Sequence, residues 1–396
     1  HDRVLGYPVV LVLTGSSETP TPLLLGVQLA LYVATAWMVL ALFQRFDPPK
    51  QWSYALLVLL ASPPLVEKVY VAQTETLSGF LVTMSVTAFV LWLERQSTRW
   101  AVLSGVSIAL AAITHPVYQG LALLVPLAYG AWRLKKNGPR QAFKTAGAFV
   151  VGPLLILGAL VGHNWVKFDY PGVTPMLGWH LSTKTALFID ELPMDEPARA
   201  PLMQVRDQQL VEGESHTALT YFWQARYLVE PELGLQRPES DNYMLKLNLK
   251  LIARTPLGYA NAVGNSFVSY SMPSAGSLAT GDSAILQLLM TLAHFGVALV
   301  FACQAIAVAG MGIARRLGSE PDGPFSDRRA ISTYLAALGL IAYTFTVTVL
   351  VETGIARHRS PIDPLILLVT FAGAWMAWTA LGPNSKATQN PLEPNV

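Results

Sequence analysis

The sequence predicts an all-α polytopic membrane protein, with about nine transmembrane or membrane-embedded helices and one external mixed domain. Three observations carry that prediction. Of the 396 residues, 52% are hydrophobic and only 13% are charged, whereas a soluble domain carries about a quarter charged residues. The apolar residues gather into runs near the ~20-residue length that crosses a bilayer. The basic residues fall into short stretches between those runs, as cytoplasmic loops require. The net charge of +2, with most basic residues in short loops between the runs, says nothing about nucleic acid, and no nucleic-acid partner is expected. The single cysteine, Cys303, excludes an intramolecular disulfide.

Taken in order, the runs 21–43, 70–93, 142–164, 285–314, 331–351 and 365–381 are long enough to span. The run 4–13 is too short, and 51–66 is broken by Pro63 and Pro64. The run 101–132 is too long for one straight span and is interrupted at His115 and Pro116. The strongest inside signal is the stretch holding Arg133, Lys135, Lys136, Arg140 and Lys144, with Arg315, Arg316, Arg328 and Arg329 as a second. Placing both inside, together with the weaker basic stretches 45–50 and 95–99, makes 101–132 a hairpin whose outer turn is His115-Pro116. The resulting domains are N-terminal membrane helices (1–164), an external loop domain (165–284), C-terminal membrane helices (285–381) and a disordered cytoplasmic tail (382–396). The external segment is rich in acidic residues. It contains a predicted amphipathic helix over 242–254, with Leu245, Leu249 and Ile252 on one face and Lys246 and Lys250 on another. An interfacial helix is expected over 257–272. No basic leader precedes the first apolar run, and a further N-terminal segment is expected ahead of His1.

Ionisable groups at the edge of a membrane are costly unless solvated or paired, so the cluster Glu352, Arg357, His358, Arg359 and Asp363 marks a candidate site. Two guanidiniums bracketing a His can hold phosphate oxygens as a fork. A water-exposed loop that anchors two helix ends fits the same residues. On the outer face the topology gathers Glu67, Lys68, Gln73, Glu75 and His115 with this cluster, Glu75 standing at a predicted helix start where its charge is favourable. For metals, the His residues show no ligand spacing. The carboxylates Asp190, Glu191, Asp195 and Glu196 leave a divalent cation open, although a solvated acidic turn between Pro193 and Pro197 accounts for them better. No Gly-x-Ser-x-Gly elbow and no phosphate-binding Gly-x-x-x-x-Gly-Lys loop occurs. No internal repeat of the kind that builds transporters is evident.

Several local patterns resemble one family. They are Gly6-Tyr7-Pro8 before an apolar run, Thr74-Glu75-Thr76-Leu77 at a helix start, and the Gly105-to-His115-Pro116 helix end, with His115 where Arg is usual. To these are added Asn164-Trp165-Val166-Lys167-Phe168 through Ser182-Thr183, and Glu352 with Arg357-His358-Arg359-Ser360-Pro361-Ile362-Asp363-Pro364. Together they resemble the multi-pass glycosyltransferases of the GT-C superfamily, in particular bacterial relatives of the protein O-mannosyltransferases and of the aminoarabinose transferase. The resemblance implies transfer of a sugar from a polyprenyl-phosphate carrier to a lipid, glycan or protein acceptor at the external face of a bacterial inner membrane. It assigns Arg357, Arg359 and His358 to the carrier phosphate, with Glu75, His115, Glu352 and Glu67 in the pocket. In that family the general base is an acidic residue of a first external loop, which would precede this chain. Asp2 is the acidic candidate within it, too close to Gly6-Tyr7-Pro8 for the usual position. A flippase or transporter of polyprenyl-linked glycans, and an O-antigen-ligase-like enzyme, are the alternatives.

Overall fold

A computed structural model describes residues 5–17, 19–211, 219–271, 327–352 and 356–381, with parts of 283–306. Every described element is helical, and no strand occurs among the described residues. The order is α1 (Gly6–Leu13), α2 (Pro22–Phe43), α3 (Lys50–Leu60), α4 (Pro63–Val66), α5 (Glu75–Arg95), α6 (Thr98–Ala112), α7 (Gln119–Asn137) and α8 (Pro139–Phe168). There follow α9 (Leu177–Thr185), α10 (Arg199–Val211), α11 (Leu219–Leu233), α12 (Arg237–Arg254), α13 (Pro256–Ser271), α14 (Arg328–Val351) and α15 (Asp363–Leu381). Among the described residues, five stretches are long and apolar enough to cross a membrane: Pro22–Phe46, Glu75–Arg95, Phe143–Phe168, Arg329–Val351 and His358–Thr379. Shorter apolar helices cover Thr98–Ala112, Pro116–Leu127 and Phe295–Gln304. The protein is an all-α polytopic membrane protein. The part expected to be mixed, 165–284, carries helices joined by turns and no strand among its described residues.

Sequence punctuation explains the breaks. The run 101–132 divides into α6 and α7 because Pro116 lacks an N–H and holds His115 in an extended conformation, φ −140° and ψ 117°. A 3-10 turn, Pro116–Tyr118, then leads into α7. At the other end of α7, Gly138 takes φ +81°, a conformation closed to most side chains, and Pro139 starts α8. Pro63 likewise opens α4 and ends the run that began in α3.

α5 is the most buried of the five spans. With no water to drive helices together, close packing and interhelical hydrogen bonds hold a membrane bundle. Ser85 of α5 and Ser104 of α6 each donate to the other's carbonyl, at 3.1 and 3.0 Å. α6 meets α8 almost backbone to backbone: a Cβ on Gly105 would lie 2.1 Å from the Phe149 carbonyl, and one on Gly152 would lie 2.5 Å from the Val106 nitrogen. Val82, Val86, Ile108, Leu368 and Ala372 belong to the core so formed. Leu29, Val33 and Trp37 of α2 and Leu154 and Leu155 of α8 point outward, as lipid-facing side chains do.

Helices α9 to α13 surround a second core that includes Trp179, Ile189, Leu202, Val229, Met244 and Leu251. The predicted helix 242–254 begins earlier, at Arg237, where Glu239 accepts from the Gln236 backbone N–H at 3.2 Å. Its buried face also differs from the one expected. Ser240, Asp241, Met244, Leu247, Asn248 and Leu251 are buried, while Leu249 is exposed. The reason is polar. Asp241 accepts from the N–H groups of Gly178 and Trp179 at 2.8 and 3.2 Å, and Asn248 donates to the Gly178 carbonyl at 2.7 Å and accepts from Thr185 at 2.6 Å. These bonds cap and clamp α9, whose Gly178 leaves no room for a side chain against Asp241. Burial pushes the Asp241 carboxyl up, partly offset by the two backbone N–H donors.

Candidate functional site

The 3-10 turn Ala356–Ile362 crosses the start of α5, where a Cβ on Gly79 would lie 3.1 Å from the Pro361 carbonyl. That crossing brings the C-terminal cluster to the helix end that begins at Glu75. The hairpin turn at His115 is at the same end. Gly6 donates its N–H to the Ile113 carbonyl at 2.7 Å, and Tyr343 of α14 donates to the Val117 carbonyl at 3.0 Å. Both bonds pin the turn to its neighbours.

Glu352, directly after α14, is the centre of the arrangement. Its Oε2 lies 3.3 Å from His358 Nδ1, and both side chains are buried. The His358 ring meets the His115 ring edge-on with centroids 5.9 Å apart. Burial, the largest single influence, pushes the Glu352 carboxyl up. The combined charges of His358, His180, His115 and Lys184 outweigh it and leave the carboxyl below the ordinary range. Lys184 is fully buried on α9 and donates to the Ser266 hydroxyl of α13. Burial draws its ammonium down to about 7 against the opposing pull of Glu352. His180 shares its helix face four residues earlier and is half-buried.

Neither His180 nor Lys184 was singled out by the sequence. The segment Ser182-Thr183-Lys184-Thr185 is polar throughout, yet all four residues are buried. The available signal was the i, i+4 spacing of a His and a Lys on a short helix that also carries Trp179 and Leu181.

Of the predicted residues, Glu352, His358 and His115 come together. Glu75 is the first residue of α5, buried, and near enough to Tyr7 and Tyr118 for its charge to act on both hydroxyls. Glu67 pairs with Lys68 at 3.0 Å in the turn Glu67–Tyr70, which Thr76 ties to α5 by donating to the Lys68 carbonyl at 3.2 Å. Arg359, assigned by the resemblance to the carrier phosphate, is buried. Its Nε donates to Asp363 at 2.7 Å and its guanidinium also donates to the Tyr270 carbonyl at 2.6 Å. The α13 end and the α15 start are thereby joined. Arg357 lies in the same 3-10 turn, but its side chain is outside the described part, and Asp2 lies outside the described residues altogether.

Of the carboxylates considered for a cation, Asp190 pairs with Arg206, with one contact at 3.1 Å, and Glu196 accepts from the Tyr243 hydroxyl. Among the described residues, no group of three or more His, Cys, Asp or Glu side chains converges as a metal site would. What the centre offers is a buried carboxylate beside one imidazole and within electrostatic reach of two more and of an amine. Such a set can move a proton and balance charge as a bond to an anionic group breaks.

No curated protein and no solved structure matches the chain. Over residues 7–178, from Tyr7 through the hairpin turn at His115 to the beginning of α9, the chain matches the model of glycosyltransferase family 87, which with its five apolar spans makes it similar to membrane glycosyltransferases.

Proposed function

We propose that the protein transfers a sugar from a polyprenyl-phosphate carrier to a lipid, glycan or protein acceptor at the external face of a bacterial inner membrane. The observation that carries this reading is the convergence of Glu352, His358, His115, His180 and Lys184 at one end of the bundle. A transporter instead needs ionisable groups distributed along a path through the bilayer. The side follows from charge. α7 has 19 residues, so its His115 end and its basic end, near Arg133 and Arg140, are about 28 Å apart. α5 similarly separates Glu75 from Arg95, beside which Arg45 and Glu94 pair at 2.9 Å. With Lys and Arg on the cytoplasmic side, the Glu352 centre is external.

In this reading 165–284 is an external domain above the centre, and α9 lowers His180 and Lys184 into it. Arg357 and His358 receive the carrier phosphate, while Arg359 holds the loop that presents them. The test is direct. The full chain in lipid nanodiscs is incubated with radiolabelled polyprenyl-phosphate hexoses and pentoses and with extracted membrane acceptors. A new glycosidic product supports the reading. Movement of the carrier across a bilayer with no product would replace it with a flippase, and transfer only of preassembled polyprenyl-linked glycans with a ligase.

A further inference from the structure

We propose that the junction of α12 and α13 is a docking surface for anionic phospholipid, in the leaflet at the Glu352 end of the bundle. The charge of the sequence changes there. From Asn242 to Gly281 the chain holds no Asp or Glu, and its only charged residues are Lys246, Lys250 and Arg254. Their spacing of four places all three along one face of α12, where each is exposed. Among the described residues none of the three pairs with a carboxylate. Beside them lie Leu249, 54% exposed, and Ala253, also exposed. Past the break at Thr255, Leu257 of α13 is 84% exposed, and Phe267 and Val268 are about half exposed. Bare apolar side chains next to a row of cations are the composition of a helix that lies in a bilayer interface.

The contacts of α13 set its level in the membrane. The span Arg329–Val351 has 23 residues, about 34 Å of helix against about 30 Å of hydrocarbon. Leu350, next to its end, therefore stands close to the hydrocarbon edge. Tyr259 donates to the Leu350 carbonyl at 2.8 Å, and the Phe267 and Tyr270 rings meet Phe345 edge-on at 5.3 and 5.4 Å. Phe345 precedes Leu350 by five residues, about 7 Å deeper along the helix. α13 thus covers the depth of the headgroups and the first acyl carbons, and its exposed side chains meet lipid there. Arg254, five residues before Tyr259, stands at headgroup level. Lys and Arg carry their charge beyond an apolar stem, so the row reaches phosphates while Leu257 stays among acyl chains. A second copy of the chain fits this face poorly, because three like charges would confront three more. Only the span α14 is needed for this placement, whichever reaction the Glu352 centre carries out.

Quenching by brominated lipids tests this on the full chain in nanodiscs. With Cys303→Ser and Leu257→Cys, a bimane fluorophore is attached at position 257. The discs hold phosphatidylcholine and phosphatidylglycerol in equal amounts, and one or the other carries brominated acyl chains, which quench on contact. Phosphatidylglycerol should be preferred by about fivefold for each cation that reaches the surface. That preference should fall towards one between about 0.1 M and 1 M salt, as the screening length shrinks from about 10 to 3 Å. Lys246→Gln, Lys250→Gln and Arg254→Gln together should abolish it while leaving the total quenching unchanged. Should the triple variant not fold, Arg254→Gln alone, with a preference lowered by about fivefold, takes its place beside the salt series. Equal quenching by the two lipids, a preference that survives 1 M salt, or one that survives the substitutions overturns the assignment. Quenching by neither lipid also overturns it, and gives the face to another copy or another segment of the chain.

Discussion

The guanidinium of Arg359 donates to the main-chain carbonyl of Tyr270, 2.6 Å away across 89 residues of sequence. It thereby joins the last helix before the C-terminal spans to the first turn of α15. Its second bond, to Asp363, completes a buried bracket between the α9–α13 segment and the bundle. Side chains of α13 reinforce it: Phe267 and Tyr270 pack edge-on against Phe345 of α14 at 5.3 and 5.4 Å.

Removing that bracket should cost stability as well as any function. Arg359→Ala leaves Asp363 and the Tyr270 carbonyl without a donor, and losing one member of a buried pair costs about 3 kcal/mol. Thermal unfolding in detergent should show a clearly lowered midpoint. An unchanged midpoint would mean that the guanidinium is held there without contributing, which suits a ligand-binding residue better than a bracket.

Gly178→Ala should detach α9 from α12. The added Cβ would meet the Asp241 carbonyl oxygen at 2.2 Å, a backbone atom that cannot swing aside. Overpacking of this kind costs about 1–3 kcal/mol. Limited proteolysis should cut earlier within the α9–α13 segment while the bundle survives, and equal protection of variant and wild type would sink the prediction.

Lys184 predicts a pH dependence whose sign can be worked out. Its ammonium is drawn from the ordinary 10.5 down to about 7 in the folded protein. Between those values the unfolded chain holds a proton that the folded one has released, so stability rises with pH across that window. Below about pH 7 both states carry the proton, and the full cost of the buried charge is present. Lys184→Met should therefore flatten the rise in unfolding midpoint between neutral and alkaline pH. The same slope in variant and wild type would refute a buried, depressed Lys184.

The sidedness is open to chemical labelling. With Cys303 replaced by Ser, single cysteines at Lys136, beside the α7–α8 turn, and at Met194, which is 84% exposed, should react from opposite sides of sealed vesicles. Labelling of both from one side would invert or abolish the proposed topology.

Much of the bundle was legible in the sequence because membrane spans are written as composition. Apolar length gave the spans beginning near Pro22, Glu75, Phe143 and Arg329. The His115-Pro116 pair gave the hairpin, since Pro116 lacks an N–H and its ring holds His115 in an extended conformation. The convergence of Glu352 and His358 with His115 was also foreseen, because helix ends on one side of a membrane are forced into one layer.

What the sequence by itself determined, then, is the all-helical membrane class, the breaks between helices, and part of the polar layer at one end of the bundle. Tertiary structure alone decided which partners those polar groups take. Leu249 looked inward by periodicity and is exposed, because the α12 face bearing Asp241 and Asn248 is the one that bonds to α9. Ser182 to Thr185 are polar and yet buried, which brings Lys184 within electrostatic reach of Glu352. Arg359 looked like a free cation and is a bracket. The physical reason is common to all three. Periodicity records only a contrast between polar and apolar faces, and where buried backbone groups need partners, a polar face can be the inner one. Which charge meets which is then set by packing between segments far apart in the chain, where local sequence carries no record of distance.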